Sequence, residues 1–416
     1  MSELIRALRR FGGRYVPYLQ PFWSEEDFST VERWLRGDVL PDAAASLRRA
    51  LQARFPECGE IVLTDTGKTA LYVALRRLGI EGGREVIMPS YCCSSVLASI
   101  LRAGCVPVLA DSDVELNLDH ESVLGALSPR TGAIVVAHLF GRKAASIERI
   151  VALGRSRGIA VIEDVTQAFG LRLGADTLAG SAGDAAIFSA GPGKPIMGPG
   201  GGWALIKRPV GPAVVLSEEP SEQVRARVRG FLARFTGPRW RRGQAEIGHA
   251  LRGRWAASRN PASTDPQDWA RRECRNQAMS DLEAWLALRQ IERIEENLRL
   301  RRSNAGRWSG RLATVRVRCQ LPSSPGNTYA ILPVVFQDAR DAIRTRRCLE
   351  SAGIATEPCY TPLHLREHGR HLRRTQMQVV EDLWNRVFAV PVRPNLTERD
   401  WRSIARATDR LAAASR

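Results

Sequence analysis

The amino-acid sequence predicts an α/β fold with a mostly parallel sheet, followed by a smaller α+β domain. Seven short apolar segments occur between residues 61 and 206 without polar alternation, a pattern typical of strands buried on both faces. Helical segments separate them, which indicates parallel strands joined by helices. A chain of 416 residues is long enough for two packed domains. We therefore assign residues 1–55 to an N-terminal arm and helices, 56–300 to a large domain and 301–416 to a small C-terminal domain.

The predicted elements of the large domain follow one another in order. Glu25, Glu26 and Asp27 suit the first turn of a helix, where negative charge is favourable. An apolar helical pattern over residues 71–78 follows the first strand, which places residues 67–69 at a helix N-terminus. The predicted strands cover residues 61–63, 85–88, 106–110, 133–137, 160–162, 185–188 and 202–206.

One long helix, from Asp281 to about Arg307, is predicted to connect the two domains. In the small domain, residues 329–336 are predicted to form a strand. Residues 338–352 are predicted to form a helix that ends at Gly353, because glycine accepts the backbone conformation of a helix C-terminus.

A basic insertion interrupts the large domain at about residues 209–272. Within it, residues 221–259 contain ten Arg and two Glu and so contribute +8 of the net charge of +17. Residues 256–267 are predicted to form a loop because Ser, Asn, Asp and Pro recur there. Five apolar residues of the insertion fall on one helical face: Val224, Val228, Phe231, Leu232 and Phe235.

An aspartate and a lysine, thirty residues apart, each follow a predicted strand. An apolar run ends in Glu163 and Asp164, and Lys194 lies in a glycine-rich loop after the strand at 185–188. The amine of such a lysine can form a Schiff base with an aldehyde. A carboxylate beside a pyridine nitrogen keeps that nitrogen protonated, so that the ring withdraws electrons. Together these residues indicate the chemistry of pyridoxal 5′-phosphate (PLP).

These two segments resemble the DegT/StrS family of sugar aminotransferases, which have the PLP-dependent fold called fold-type I. The family patterns are E-D-x-x-Q-(A/S)-x-G and F-S-x-x-x-x-K. They match Glu163, Asp164, Gln167, Gly170, Phe188, Ser189 and Lys194. Further similar segments cover residues 64–71, 85–90, 136–141, 276–280, 361–364 and 389–394.

The resemblance implies a role for three residues at the reacting end of the cofactor. Lys194 would bond to the cofactor and, once freed, move a proton, which needs a neutral amine. Asp164 would pair with the pyridine N–H. Gln167 would approach the ring and its phenolic oxygen.

The cofactor phosphate would bind at a helix N-terminus, where backbone N–H groups are free. The resemblance assigns this site to Gly67, Lys68 and Thr69, with the hydroxyl of Ser189. Lys68 departs from the small residue usual in the family, so its charge would reach either the phosphate or solvent. Asn276 would reach a phosphate across a homodimer interface, or alternatively cap the helix that begins at Asp281.

Two positions depart from the family pattern. Cys93 replaces the aromatic residue that covers the cofactor ring, which leaves Tyr91 or another residue to do so, and Ala278 replaces an arginine. Both changes indicate a divergent branch with a different substrate. His138 and His364 match family motifs but are expected to be structural, hydrogen-bonded residues.

Composition narrows the class of protein. No apolar run approaches the roughly 18 residues needed to cross a bilayer, and the first 14 residues lack the apolar core of a signal peptide. We expect a cytoplasmic protein. The eight cysteines form no CxxC pair, so we expect reduced thiols and no metal site.

The net charge of +17 would attract nucleotide-linked sugars, nucleic acid or an anionic membrane. Alternatively, the many arginines simply reflect a GC-rich genome. The basic insertion fits a helical hairpin over the mouth of the active site. An alternative is a surface for an anionic membrane or a lipid-linked substrate. Nucleic acid is the least favoured partner because no nucleic-acid-binding fold accompanies the insertion.

The resemblance implies an aminotransferase that moves an amino group from L-glutamate or L-glutamine to a nucleotide-linked keto-sugar, in polysaccharide or secondary-metabolite biosynthesis. A keto-cyclitol or another PLP reaction on a related metabolite is the near alternative. A regulatory or binding protein that retains the fold is the alternative from another class. The paired Lys194 and Asp164 favour an enzyme, because a binding protein needs no electron-withdrawing ring.

Overall fold

The computed structural model describes residues 15–236, 265–315, 319–320 and 326–414, and its largest element is a seven-stranded sheet. The strands pair in the order β1-β7-β6-β5-β4-β2-β3. They coincide with the seven predicted strands to within two residues at either end. Their bounds are β1 (Glu60–Thr64), β2 (Glu85–Pro89), β3 (Val106–Ala110), β4 (Thr131–Ala137), β5 (Ala160–Asp164), β6 (Ala185–Ser189) and β7 (Gly202–Ile206).

Most neighbouring strands of this sheet are parallel, as predicted. Strands β2 to β6 pair in parallel, whereas β7 runs antiparallel to both β1 and β6. Along β4, Ala133 and Val135 pack into one hydrophobic cluster, and Ile134 and Val136 pack into another on the opposite face. Helices cover both faces, which is why the strands lack polar alternation.

Thirteen α-helices occur within the described residues. They are α1 (Glu25–Arg36), α2 (Ala43–Arg54), α3 (Gly67–Arg77), α4 (Ser94–Arg102), α5 (His120–Ala126), α6 (Ile147–Arg157), α7 (Ser221–Phe235), α8 (Pro266–Glu273), α9 (Asp281–Glu292), α10 (Ile294–Ala313), α11 (Ala339–Ser351), α12 (Gln378–Leu383) and α13 (Glu398–Ala414). Short 3₁₀ turns cover Leu139–Gly141, Leu363–Leu365 and Trp384–Arg386.

The predicted connecting helix is two helices, so this prediction is wrong at Arg293. That residue leaves the helical conformation, with φ of −105° and ψ of 14°. Its guanidinium bonds to the carboxylate of Asp27 in α1 and to the carbonyl oxygen of Arg289. These contacts stabilise a break in the helix. It could not be predicted because no proline or glycine occurs there.

The small sheet is antiparallel, with strands in the order β10-β11-β9-β8. Its strands are β8 (Cys319–Gln320), β9 (Leu332–Phe336), β10 (Glu357–Pro358) and β11 (Val387–Val390). The predicted strand at 329–336 begins three residues late, because Tyr329 has φ of 48°, outside the extended region. Trp308 of α10 and Trp401 of α13 belong to the core beneath this sheet. The domain boundaries themselves stay predictions.

The first helix of the insertion is α7, whose buried residues Val224, Val228, Phe231 and Phe235 confirm the predicted apolar face. Residues 237–264 lie outside the described residues, so most of the predicted basic stretch is not assessed. The loop predicted at 256–267 is wrong at its end. Asp265 caps α8 by accepting the N–H of Gln267, and Pro266 occupies the first helical position.

Candidate active site

A pocket lies where three parallel strands end. Ala137 of β4 pairs with Asp164 of β5, and Asp164 pairs with Ile187 of β6. Open α/β sheets bind ligands outside the carboxyl ends of their strands. The residues that line this pocket are Cys92, Cys93, Ala137, His138, Leu139, Asp164, Thr166, Gln167, Lys194 and Tyr360.

Lys194 enters this pocket from the β6–β7 loop, residues 190–201. Its Nζ lies 3.4 Å from the hydroxyl oxygen of Thr166. Gly193, just before it, has φ of 84°, a conformation that favours glycine. The structure therefore brings together the lysine and the aspartate that the sequence singled out, Lys194 and Asp164, in one pocket.

Asp164 and Glu163 face opposite sides of the sheet because consecutive strand residues alternate. Asp164 lines the pocket with 9% of its surface exposed, and its Oδ1 accepts the N–H of Thr166 at 3.0 Å. Glu163 is fully buried on the other side. Its oxygens accept the N–H groups of Gly180, Ala182 and Gly183.

Glu163 also pairs with His138, whose Nε2 lies 3.0 Å from Oε2 of the carboxylate. Nδ1 of His138 accepts the N–H of Ala144 at 3.2 Å, so Nε2 carries the proton. Burial alone would raise the pKa of Glu163, but the hydrogen bonds from His138, Gly180 and Gly183 hold the pKa below its usual value. Both ring nitrogens of His138 are in use, as expected for a structural histidine.

Gln167 is held at both ends of its amide. Its Oε1 accepts the N–H of Phe140 at 2.6 Å, and its Nε2 donates to the hydroxyl oxygen of Tyr360 at 2.6 Å. Phe140 has φ of 63°, and this left-handed turn directs its N–H at Gln167. The Gln167 side chain is therefore oriented by its own protein before any ligand binds.

The turn assigned to phosphate forms the start of α3. The Thr66 hydroxyl caps the helix by accepting the N–H of Thr69 at 3.3 Å. A helix leaves its first N–H groups without acceptors inside the helix, here those of Gly67 and Lys68. A Cβ added at Gly67 would lie 3.1 Å from Cβ of Ser189 and 3.2 Å from Cγ2 of Thr166. The helix start is thus pressed against the strand end.

The side chains of Lys68 and Thr69 are engaged elsewhere. Nζ of Lys68 forms an ion pair with Glu273 of α8 at 2.8 Å. The Lys68 side chain is 23% exposed in this pair, and its role toward a phosphate stays a prediction. Thr69 is fully buried, and its hydroxyl lies 3.2 Å from that of Thr66. The N–H of Thr69 is already bonded to the Thr66 hydroxyl, so of these two residues only Lys68 has a backbone N–H that remains for an anion.

Asn276 does not line the pocket of its own chain. Its carbonyl oxygen accepts the N–H of Ser217 at 3.1 Å, and the next residue, Gln277, accepts the N–H of Asp65 at 2.9 Å. The segment therefore runs beside the end of β1. The alternative that Asn276 caps the helix at Asp281 is wrong, because the Ser280 hydroxyl holds that position. Its role in a partner's pocket stays a prediction.

Tyr91 does not replace the aromatic cover that Cys93 lacks. Its ring is fully buried and packs edge-on against Tyr360 at 5.8 Å and Phe140 at 6.4 Å. Tyr360 does line the pocket, parallel to the ring of Phe140 at 6.4 Å. Burial, with Cys93 and Asp164 nearby, raises the pKa of Tyr360 well above 10, so its hydroxyl keeps its proton.

Three pocket residues were not predicted from the sequence: Tyr360, Thr166 and Cys92, which directly precedes Cys93. Tyr360 directly precedes the segment 361–364 that matched the family, and Thr166 occupies an unspecified position of the aspartate motif. Their neighbouring motifs were the only signal. His364 is structural, as expected, because its Nδ1 lies 2.7 Å from the Ser90 hydroxyl and its Nε2 lies 3.1 Å from Glu381.

The model of the DegT/DnrJ/EryC1/StrS aminotransferase family matches residues 30–209 and 254–408. The chain belongs to this family. It is an aminotransferase, as the resemblance implied, and the unmatched residues 210–253 fall within the predicted insertion.

Two curated relatives align over most of their length. The chain is 28% identical over 380 residues to the UDP-N-acetyl-3-dehydro-alpha-D-glucosamine 3-aminotransferase of Acidithiobacillus ferrooxidans, covering 89% of this chain and 90% of that protein. It is 29% identical over 388 residues to the L-glutamine:2-deoxy-scyllo-inosose aminotransferase of Micromonospora echinospora, covering 88% and 85%.

The solved structure of the aminotransferase TlmJ from Streptoalloteichus hindustanus superimposes with a TM-score of 0.71 at 22% identity. The match covers 96% of this chain and 99% of that chain. It confirms the predicted fold, which is the fold-type I α/β fold. Within the described ranges, no helix is long and apolar enough to cross a membrane.

Proposed function

We propose that this aminotransferase uses PLP to move an amino group from L-glutamate or L-glutamine to a keto group on a nucleotide-linked sugar. The main support for this proposal is that the Lys194 amine and the Asp164 carboxylate line one pocket at the strand ends. When bound, PLP supplies an aldehyde and an electron-withdrawing ring. The donor set of the pocket, an amine, a carboxylate and an amide, fits this cofactor.

Asp164 and Gln167 would orient the ring. The carboxylate of Asp164 would accept a hydrogen bond from the protonated pyridine nitrogen and hold the proton there. Its position is fixed by the Thr166 N–H at 3.0 Å. Gln167, held by Phe140 and Tyr360, would present its amide to the phenolic oxygen. The Tyr360 hydroxyl accepts from Gln167 and so has its own O–H free to donate within the pocket.

Lys194 would move the proton. Its Nζ would take a proton from the Cα of the amino donor and pass it to C4′ of the cofactor in one half of the reaction. In the other half it would take a proton from C4′ and pass it to the acceptor carbon. The Thr166 hydroxyl, 3.4 Å from Nζ, is placed to orient the amine between these positions.

The phosphate would bind at the start of α3. The N–H groups of Gly67 and Lys68 and the hydroxyl of Ser189 would face it, and the positive end of the helix dipole would favour its charge. A side chain at position 67 would lie 3.1 Å from Cβ of Ser189, so glycine allows the helix start to approach the strand end without displacing its neighbours. The Thr69 hydroxyl is not part of this set, because it is buried beside Thr66.

We propose the nucleotide-linked keto-sugar as acceptor because the Acidithiobacillus relative, by its name, acts on one. A keto-cyclitol is the second candidate, supported by the Micromonospora relative, which is named for 2-deoxy-scyllo-inosose. A binding protein would not need Lys194 and Asp164 in one pocket, so we favour an enzyme over this alternative. The cytoplasmic location and the contact of residues 221–259 with an anionic membrane or lipid-linked substrate stay predictions.

We further propose a homodimer with shared active sites. Asn276 lies beside the end of β1, next to the phosphate turn, yet outside the pocket of its own chain. This placement supports the expectation that its amide reaches the cofactor phosphate of a second subunit.

The proposal is tested by adding PLP and then L-glutamate to the purified protein while recording the absorbance of the cofactor. Wild-type protein should show a lysine-bound form that glutamate converts to the amine form, and a keto-sugar nucleotide should reverse the change. Borohydride reduction and peptide mass spectrometry should place the cofactor on Lys194.

Lys194→Ala should abolish this labelling, whereas Lys143→Ala should not, because Lys143 pairs with Glu148 away from the pocket. Labelling of another lysine in wild-type protein, or no spectral response to any amino donor, would contradict the proposal. A response to a keto-cyclitol but to no keto-sugar nucleotide would select the second candidate acceptor.

A further inference from the structure

The loop that carries Lys194 contains little that would hold its own shape. Five of its twelve residues, 190–201, are glycine. Glycine loses more conformational freedom on folding than other residues, so an ordered glycine-rich loop depends on contacts from outside. Three main-chain bonds lie within the loop, from the N–H of Gly198 to Ala190 at 2.6 Å, from Ala190 to Gly201 at 2.9 Å and from Lys194 to Gly191 at 3.4 Å. A fourth joins the N–H of Gly201 to Asp65 at 2.6 Å.

Met197 is the best-anchored residue of this loop. Its N–H donates to the amide oxygen of Gln290 at 2.9 Å, and its carbonyl oxygen accepts the indole N–H of Trp23 at 2.9 Å. Its side chain is 3% exposed. Met197 lies three residues after Lys194, so its position sets where the lysine leaves the loop.

Helix α7 supplies the apolar cover of Met197. Phe231 and Phe235, both buried, form one cluster with Met197, and Leu19 and Trp23 pack against it. The Trp23 indole stacks on Phe231 with 5.2 Å between ring centroids and 28° between planes. Phe231 therefore contacts the loop and also orients the indole that bonds to it.

A second contact ties α7 to the end of the same loop. Arg227 of α7 pairs with Glu219 at 2.6 Å and with the buried Glu283 at 2.7 Å. A Cβ added at Gly200 would lie 2.2 Å from Oε1 of Glu283 and 3.1 Å from Nε of Arg227. The glycine turn after Met197 thus rests directly on this ion pair.

We infer that helix α7 positions Lys194, with Phe231 as a positioning residue that acts through Met197 and Trp23. The helix lies in residues 210–253, which the family model does not match, so the inference gives a role to a segment outside the family pattern. The inference rests on the proposed function for the role of Lys194. It assigns the described part of the insertion to the reaction rather than to a separate partner.

The test compares Phe231→Ala with Phe336→Ala. Phe336 is equally buried, at 2%, but belongs to the core of the small sheet and stacks on Phe388. In the cofactor-free protein, hydrogen exchange of the peptide covering 190–201 should be about tenfold faster in Phe231→Ala and unchanged in Phe336→Ala. Phe231→Leu, which keeps most of the apolar volume, should fall between wild type and Phe231→Ala and serves if the alanine variant does not fold.

The second measurement uses the PLP-loaded protein. The single-turnover rate with L-glutamate should fall about tenfold or more in Phe231→Ala, because small displacements of a catalytic group are costly. In the same variant, the pH at which the absorbance of the lysine-bound cofactor is halfway through its change should also shift. Both should stay at wild-type values in Phe336→Ala below its unfolding temperature.

Different results would contradict the proposed function and the positioning role of α7. If the wild-type protein does not bind PLP at Lys194, the proposed function is wrong. The hydrogen-exchange measurement would still show whether α7 orders the loop. Wild-type exchange over 190–201 in Phe231→Ala overturns the inference. So does accelerated exchange together with an unchanged rate and pH midpoint, because the loop would then be ordered by α7 without positioning the lysine.

Discussion

Glu163 and Asp164 are neighbours at the end of one strand, yet their side chains lie on opposite faces of the sheet in different surroundings. Glu163 is enclosed, with His138 and three main-chain N–H groups on its oxygens. Asp164 opens on the pocket, and its side chain receives one main-chain N–H, from Thr166. A fully bonded carboxylate stabilises the fold, whereas a carboxylate with unused acceptor capacity in a cleft is suited to a ligand.

The largest expected effect is that of Asp164→Asn on the reaction. A neutral amide cannot hold the proton on the pyridine nitrogen, so the single-turnover rate with L-glutamate should fall by about a hundredfold to a thousandfold. Stability should change little, because the amide oxygen can still accept from Thr166. Stopped-flow absorbance measures the rate, and thermal unfolding of the same sample provides the control. A wild-type rate in Asp164→Asn would contradict this role of Asp164.

Glu163→Gln should have the opposite profile. The amide places two N–H donors among partners that already donate, so the free energy of unfolding should fall by about 3 kcal/mol. The turnover rate of the folded fraction should stay within about threefold of wild type, since Glu163 does not line the pocket. Urea unfolding and rate measurements on one preparation decide this. A large loss of rate without a loss of stability would contradict it.

The same carboxylate predicts a pH dependence. The folded-state pKa of Glu163 lies below its usual value of 4.5. Its stabilising contribution is therefore fully present above about pH 4.5 and is lost as the pH falls through the lowered value. The stability difference between wild type and Glu163→Gln should shrink as the pH falls from neutral to below about 4.5. Urea midpoints across this range measure it, and a constant difference would count against the assignment.

Tyr360→Phe should have a smaller effect on the pocket side. Nε2 of Gln167 loses its acceptor at 2.6 Å, so the rate should fall about fivefold to tenfold, as for one neutral hydrogen bond. Tyr91→Phe is the matched control, because Tyr91 packs beside Tyr360 without lining the pocket. Equal effects of both changes would mean that Tyr360 acts through packing alone.

The smallest effect concerns Cys92 and Cys93, a second adjacent pair with contrasting surroundings. Cys92 is 1% exposed, and burial raises its pKa well above 9. Cys93 is partly exposed in the same pocket. Iodoacetamide should modify Cys93 and spare Cys92, and bound PLP should slow the reaction about fivefold. Peptide mass spectrometry reads both sites, and modification unaffected by PLP would show that the cofactor lies elsewhere.

The sequence reveals features that recur with a fixed period or spacing. The seven strands were predicted because both faces of the sheet are apolar, and Lys194 and Asp164 because their chemistry and spacing are specific. The break at Arg293 was missed because long-range bonds to Asp27 stabilise it. The engagement of Lys68 with Glu273 and that of Tyr360 with Gln167 join residues about two hundred positions apart, and no local pattern records such pairs.

The bond between Gln167 and Tyr360 spans 193 positions of the chain. During synthesis, Gln167 leaves the ribosome long before Tyr360 is added. A nascent or prematurely terminated chain can therefore carry Lys194 and Asp164 while one wall of their pocket is still missing. The pocket is therefore complete only after Tyr360 has been added and has folded back onto Gln167.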